Sequence, residues 1–225
     1  MKNYSAFDIL GPIMVGPSSS HTAGAARLAK IASIIAGKNI ESVEFVLHGS
    51  FAKTYKGHGS DRALVAGILG MDPWDDRLKD SLGIAKEQGL KVEFTMADLG
   101  DVHPNTVKFI ITKKNGVIVE IAGSSVGGGN ILIYEVDGKP VEFTGNYPTI
   151  IISHKDIPGM ISKVSALLYE ENVNIASMKV FRNSRGLKAS MIFETDSIVT
   201  DNVMDRIKAM EHIYNIRQIS PVLQS

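Results

Sequence analysis

The sequence predicts an α+β protein of two domains. These are an N-terminal mixed α+β layer fold over residues 1–146 and a ferredoxin-like βαββαβ domain over residues 147–225. Three observations predict it. A seam of turn formers, Gly145-Asn146-Tyr147-Pro148, interrupts the pattern. Beyond it, β-branched runs alternate with apolar residues at helical spacing. Before it, helical patterns come early and short strands come late, among many glycines.

In the first domain a helix is expected from about Thr22 to Ala36, ended by Gly37. Residues 43–47 read as a strand. A shorter helix follows Ser60, with Leu64, Val65, Ile68 and Leu69 apolar, and another runs from Asp75 to Gln88 before Gly89. Strands are then expected at 91–96, 106–112, 117–121, 131–136 and 141–143. Gly127-Gly128-Gly129 reads as a flexible hairpin loop, or else as a surface that lets another subunit approach closely.

In the second domain Tyr147 to Ser153 is a β-branched strand. Asp156-Ile157-Pro158-Gly159 turns into a helix whose apolar face is Ile161, Val164, Ala166, Leu167 and Leu168. Residues 175–182 and 187–194 read as a hairpin turning at Asn183-Ser184-Arg185-Gly186. Thr200 starts a helix with Val203, Ile207 and Met210 inward, and Ile213 to Ile219 is the last strand.

Composition excludes several classes. Lys+Arg and Asp+Glu number 24 each, so no basic field draws nucleic acid or an anionic membrane. No apolar stretch reaches the roughly 20 residues that span a bilayer. The start, MKNYSAFDIL, has no apolar signal-peptide region. Cysteine is absent, which removes disulfides and thiolate metal sites from this chain. A cytoplasmic protein is expected, with no nucleic-acid or membrane partner.

Chemistry concentrates in polar runs at predicted helix starts. Ser18-Ser19-Ser20-His21-Thr22 follows two Gly-Pro pairs. One serine suffices as an N-cap. The remaining hydroxyls, the unpaired N–H groups and the helix dipole suit a carboxylate or phosphate, and His21 can move protons near neutral pH. Gly57-His58-Gly59-Ser60-Asp61 precedes the next helix, either as a capped turn or as a ligand loop. His103-Pro104-Asn105 is a third polar loop, and a lone loop histidine is most often simply exposed. His21, His58 and His103 lack the close helical pairing of a zinc motif, and no G-x-S-x-G elbow marks a serine hydrolase. His48, His154 and His212 read as structural or surface residues. The backbone N–H groups at Asp156-Ile157-Pro158-Gly159-Met160 are those of any good helix start.

FDILGPIMVGPSSSHTAG, GHGSDRA and HPNT together resemble the beta subunit of bacterial iron–sulfur L-serine dehydratase, across essentially the whole chain. The second domain resembles an ACT domain, a βαββαβ regulatory module for small ligands, through Asp156, Pro158 and Gly159. The resemblance implies conversion of L-serine to pyruvate and ammonia. A 4Fe–4S cluster would polarise the leaving hydroxyl while a base removes the α-proton. Cluster ligation needs thiolates, so the cluster would belong to a cysteine-bearing alpha subunit, and this chain alone would be inactive.

By the same resemblance, Ser18, Ser19, Ser20, His21 and Thr22 face a shared active site and hold the serine carboxylate. His58, Ser60 and Asp61 form the second loop and His103 the third, all substrate-facing. His21 is the first choice for the base and His58 the second. Asp156, Pro158, Gly159 and Met160 would take an allosteric ligand, L-serine or another small amino acid, and the ACT domain would self-associate. The first domain also resembles an allosteric substrate-binding domain of some phosphoglycerate dehydrogenases. The competing expectation is therefore a purely regulatory, amino-acid-binding subunit.

Overall fold

The computed structural model describes residues 12–222; residues 7–11 of the quoted motif and the last three residues lie outside that range. The chain divides into two compact units, one ending at Gly138 and the other beginning at Lys139. Both units are mixed α+β, as the sequence predicts.

In the first unit Ser19–Gly24 is a wide π-helical turn that runs straight into α1, Ala25–Ala36. Gly37, at φ 75°, ends the helix in a conformation that side chains disfavour. β1 (Ile40–Leu47) leads to α2 (Gly49–Thr54), a short helix with no periodic signal of its own, and then to α3 (Ser60–Ile68). The single helix expected over 75–88 is broken. Asp75 accepts the Arg77 N–H at 3.0 Å and tightens Asp76–Asp80 into a 3-10 turn before α4, Ser81–Glu87. β2 (Lys91–Met96), β3 (Thr106–Lys113), β4 (Ile118–Gly127) and β5 (Asn130–Val136) follow.

The strands of this unit order β2-β1-β3-β4-β5. Only β1 and β2 are parallel, and α2 to α4 supply the crossover that a parallel pair requires. The inward row of β1, Val43-Phe45-Leu47, lies opposite Ile111-Phe109-Val107 of β3. α1 covers β3, β4 and β5 with Leu28, Ile31 and Ile35. β4 runs further than expected because its small residues Ala122 to Ser125 are buried and leave room for that helix. Gly128 and Gly129, at φ 60° and 78°, form a two-residue turn that a twisted β4–β5 hairpin favours.

The second unit begins with β6 (Lys139–Phe143). The order β7 (Thr149–Lys155), α5 (Met160–Glu170), β8 (Ile175–Ser184), β9 (Lys188–Thr195), α6 (Asp201–Lys208), β10 (Ile213–Ile219) is the expected βαββαβ. Its antiparallel sheet orders β10-β7-β9-β8. One face packs Ile150, Ile152, Met191 and Phe193 against the two helices. The face of α5 is rotated from the expected one. Met160, Val164, Leu167 and Leu168 are buried at i, i+4, i+7 and i+8, whereas Ile161 and Ala166 point outward. The hairpin also turns later, at Arg185-Gly186-Leu187, with Gly186 at φ 76°.

On the opposite face the buried Glu194 carboxylate accepts hydrogen bonds from Thr144 N–H (3.0 Å), Thr144 Oγ1 (2.9 Å) and Ser177 Oγ (2.7 Å). Glu142 pairs with Lys179 nearby. Among the described residues no helix is long and apolar enough to cross a membrane.

Candidate active site

The start of the π turn and the loop before α3 meet in the first unit. Ser18 is the N-cap, and its Oγ accepts the His21 N–H at 3.2 Å. The His21 ring is then held at both nitrogens. Nδ1 lies 3.4 Å from Ser18 Oγ and 3.2 Å from Ser20 Oγ, and Nε2 lies 3.1 Å from Ser50 Oγ. Phe51 meets the ring edge-on at 5.2 Å, and the His58 ring packs against it at 4.8 Å with the planes tilted by 37°. Thr22, buried, donates its hydroxyl to the His58 carbonyl (3.3 Å) and so ties the second loop to the first. His58 itself is exposed.

The other residues of the three loops fall elsewhere. Ser19 is half-buried beside the cluster. Ser60 is fully buried, and its hydroxyl has no protein partner. Asp61 accepts the Arg62 N–H at 2.8 Å at the start of α3. His103 is exposed, and its Nδ1 accepts the Asn105 N–H at 3.1 Å. The third loop reaches the cluster through backbone instead, since the Pro104 carbonyl accepts the Ser50 N–H at 2.8 Å.

Ser50 has no place in the sequence motifs. Its only signal is the Gly49-Ser50 pair directly after β1, a signal shared by any strand exit. Among the described residues no group of three or more His, Cys, Asp or Glu gathers in a metal-ligating set.

Burial pushes the His21 imidazole below its ordinary value of 6.5, and the neighbouring His58 pushes it further. The unfolded chain therefore takes up this proton first. The stability that follows is complete above about 6.5 and is lost as the pH falls through the lower folded-state value. Thermal unfolding followed from pH 8 to pH 5 should decline more steeply for this chain than for His21→Gln. Equal slopes would mean that His21 is not held neutral by the fold.

In the second unit Asp156, Ile157, Pro158, Gly159 and Met160 line a cavity of about 480 Å³ with Arg182 and Arg185. Asp156 accepts the Gly186 N–H (2.8 Å) and pairs with Arg182 Nε (2.9 Å). These contacts, the Gly186 N–H foremost, hold its carboxyl below the usual range. Met160 is also a core residue. His154 lines the same cavity, nearly buried, with Nδ1 bonded to the Lys155 carbonyl at 2.7 Å.

Comparison with known proteins places these loops in a family context. The model described as serine dehydratase beta chain matches residues 5–82, and the ACT domain model matches residues 148–212. The L-serine dehydratase beta chain of Peptoniphilus asaccharolyticus is 45% identical over 220 residues, covering 97% of this chain and 99% of that one. The probable L-serine dehydratase beta chain of Bacillus subtilis is 40% identical, covering 98% and 100%. A D-3-phosphoglycerate dehydrogenase of Methanocaldococcus jannaschii is 28% identical over 81% of this chain and 34% of its own length. Among solved structures, the ACT domain from the GTP pyrophosphokinase of Chlorobium tepidum covers 32% of this chain and 95% of its own length, at 15% identity and a TM-score of 0.28.

Proposed function

Because this chain belongs to the L-serine dehydratase beta-chain family, we propose that it is the beta subunit of a cytoplasmic enzyme that converts L-serine to pyruvate and ammonia. Residues 1–146 form one wall of an active site shared with a cysteine-bearing alpha subunit, and residues 147–225 form a regulatory ACT domain. The observation that carries this reading is the His21–His58 pair, with ring centroids 4.8 Å apart, bordered by serine hydroxyls and open on the His58 side. An open proton-transfer pair suits a site that a second subunit closes.

The chemistry is a β-elimination. A base takes the α-proton of L-serine, the β-hydroxyl leaves as water, and the aminoacrylate tautomerises and hydrolyses. The leading N–H groups of the Ser19–Gly24 turn, with the positive end of the helix dipole, take the substrate carboxylate. The hydroxyls of Ser18, Ser19 and Ser20 orient it, and Ser60, Asp61 and His103 belong to the surrounding loops.

Of the two histidines, geometry favours His58 as the proton acceptor. Both ring nitrogens of His21 already face hydroxyls, whereas the His58 ring is exposed and held mainly through its backbone. Burial and the neighbouring His58 disfavour a positive charge on His21, which makes that ring a poor proton acceptor. A 4Fe–4S cluster does not fit the donors of this chain, which has no cysteine and, among the described residues, no cluster of metal ligands. The cluster belongs, in this reading, to the alpha subunit.

Mixed anaerobically with a cysteine-bearing alpha subunit, the chain should yield pyruvate from L-serine, and neither subunit alone should do so. A fully active alpha subunit would leave this chain purely regulatory. That second reading is favoured by one observation, the Asp156–Arg182 cavity of the second unit, which suits a small amino acid such as L-serine. Self-association is placed on the same domain. In the reconstituted enzyme Asp156→Ala should change the response to added amino acids without lowering turnover at saturating substrate. An unchanged response would remove the ligand site from this loop.

A further inference from the structure

We propose that Ser50 is a positioning residue that fixes the plane and the tautomer of His21, and so the surface against which the His58 ring packs. The inference rests on the role proposed above for the two histidines, but the geometry behind it is separate. Ser50 sits in the first turn of α2, outside both polar motifs and 29 residues from His21, and its Oγ lies 3.1 Å from His21 Nε2.

The hydroxyl has little freedom to drift, because the main chain of Ser50 is fastened on both sides. Its N–H donates to the Pro104 carbonyl at 2.8 Å, and its carbonyl accepts Thr54 Oγ1 at 2.8 Å. The preceding residue, Gly49, stands at φ 55°, where a Cβ would lie 2.6 Å from the Pro104 oxygen. Only glycine permits that approach, so the third loop clamps α2 in place. Thus Ser50 joins the SSSH turn, the start of α2 and the His103-Pro104-Asn105 loop at one residue.

The hydrogen bonds also suit one tautomer. Ser18 Oγ accepts the His21 N–H, which leaves its own proton to point at Nδ1 or at Ser20 Oγ, 3.5 Å away. Ser20 Oγ adds a second hydroxyl on the Nδ1 side. With these hydroxyls donating, Nδ1 is the acceptor, and we place the ring proton on Nε2, donated to Ser50 Oγ. Without Ser50 the Nε2 side loses this acceptor. The ring is then free to rotate and to exchange its proton between the two nitrogens, and the His58 face is no longer fixed.

Two measurements test this in Ser50→Ala and Ser50→Thr. Nitrogen-15 NMR of the full chain, labelled at histidine, should show His21 as the Nε2–H tautomer in the native chain and in Ser50→Thr. In Ser50→Ala it should show a mixture. In the reconstituted enzyme Ser50→Ala should lower kcat about fivefold, the loss expected for one hydrogen bond near 1 kcal/mol, with KM nearly unchanged, and Ser50→Thr should restore most of it. An unchanged His21 tautomer in Ser50→Ala overturns the proposal. So does a rise in KM at constant kcat, which would make Ser50 a substrate ligand. If the tautomer responds to Ser50 but His21→Ala retains full turnover, the positioning of His21 stands and its part in catalysis fails.

Discussion

His58→Ala should reduce serine turnover in the reconstituted enzyme by about 10²–10⁴-fold, the range lost when a positioned general base is removed. The fold should survive. The groups that fasten His58 are main-chain atoms: its carbonyl accepts Thr22 Oγ1 at 3.3 Å, and its N–H donates to the Thr54 carbonyl at 3.0 Å. Both remain in the alanine variant. The imidazole is exposed, so little apolar area is lost with it. The stability of His58→Ala should therefore match that of the native chain within a few tenths of a kcal/mol, as for surface substitutions generally.

His21→Ala is the less clean experiment. It deletes the partner of three serine hydroxyls and the edge contact to Phe51 at once. Activity lost in His21→Ala mixes chemistry with structure, whereas activity lost in His58→Ala reports proton transfer. Full pyruvate production by His58→Ala would move the base to His21 or to the partner subunit. Full activity of the double variant would remove catalysis from this chain.

What the sequence reveals of this site follows from how local its determinants are. The Ser18–Thr22 run is legible because a helix start needs one cap and this one has a surplus. The βαββαβ order is legible because each element carries its own periodicity and its own turn residues. Ser50 is invisible for the opposite reason. Its importance arises from a contact across twenty-nine residues, and that contact depends on Gly49 fitting under Pro104.

The same limit explains Ser60 and His103. A polar residue at a loop reads as available in sequence, yet Ser60 is buried as the first residue of α3 and His103 turns back to its own loop. The rotated face of α5 has a third origin. Met160 and Ile161 are both apolar neighbours, so the sequence pattern tolerates either phase. The folded domain takes the phase that buries Met160 in the same core as Met191 and Phe193 and leaves Ile161 exposed.

Gly24→Ala is expected to damage both stability and catalysis, although it adds a single methyl group. Gly24 has ordinary helical dihedrals, so the requirement for glycine is one of space. A Cβ there would lie 2.0 Å from Ser125 Oγ and 2.8 Å from Ser125 Cβ. Rotating the serine side chain relieves the first clash but not the second, so the π turn must lift away from β4. The cost should be about 1–3 kcal/mol, as for overpacking a filled core.

His21 lies three residues earlier in the same turn, so the lift also carries its ring away from Ser50, and kcat should fall with the stability. The partner substitution separates this account from a general intolerance of the turn. Ser125→Ala alone should cost little, because the buried Ser125 hydroxyl has no protein partner to lose. Ser125→Gly removes both clashing atoms. Gly24→Ala combined with Ser125→Gly should therefore be more stable than the two single effects predict, and it should recover part of the kcat. Strict additivity in thermal unfolding, with no recovery of turnover, would show that the close approach of Gly24 to β4 does not hold the catalytic turn in place.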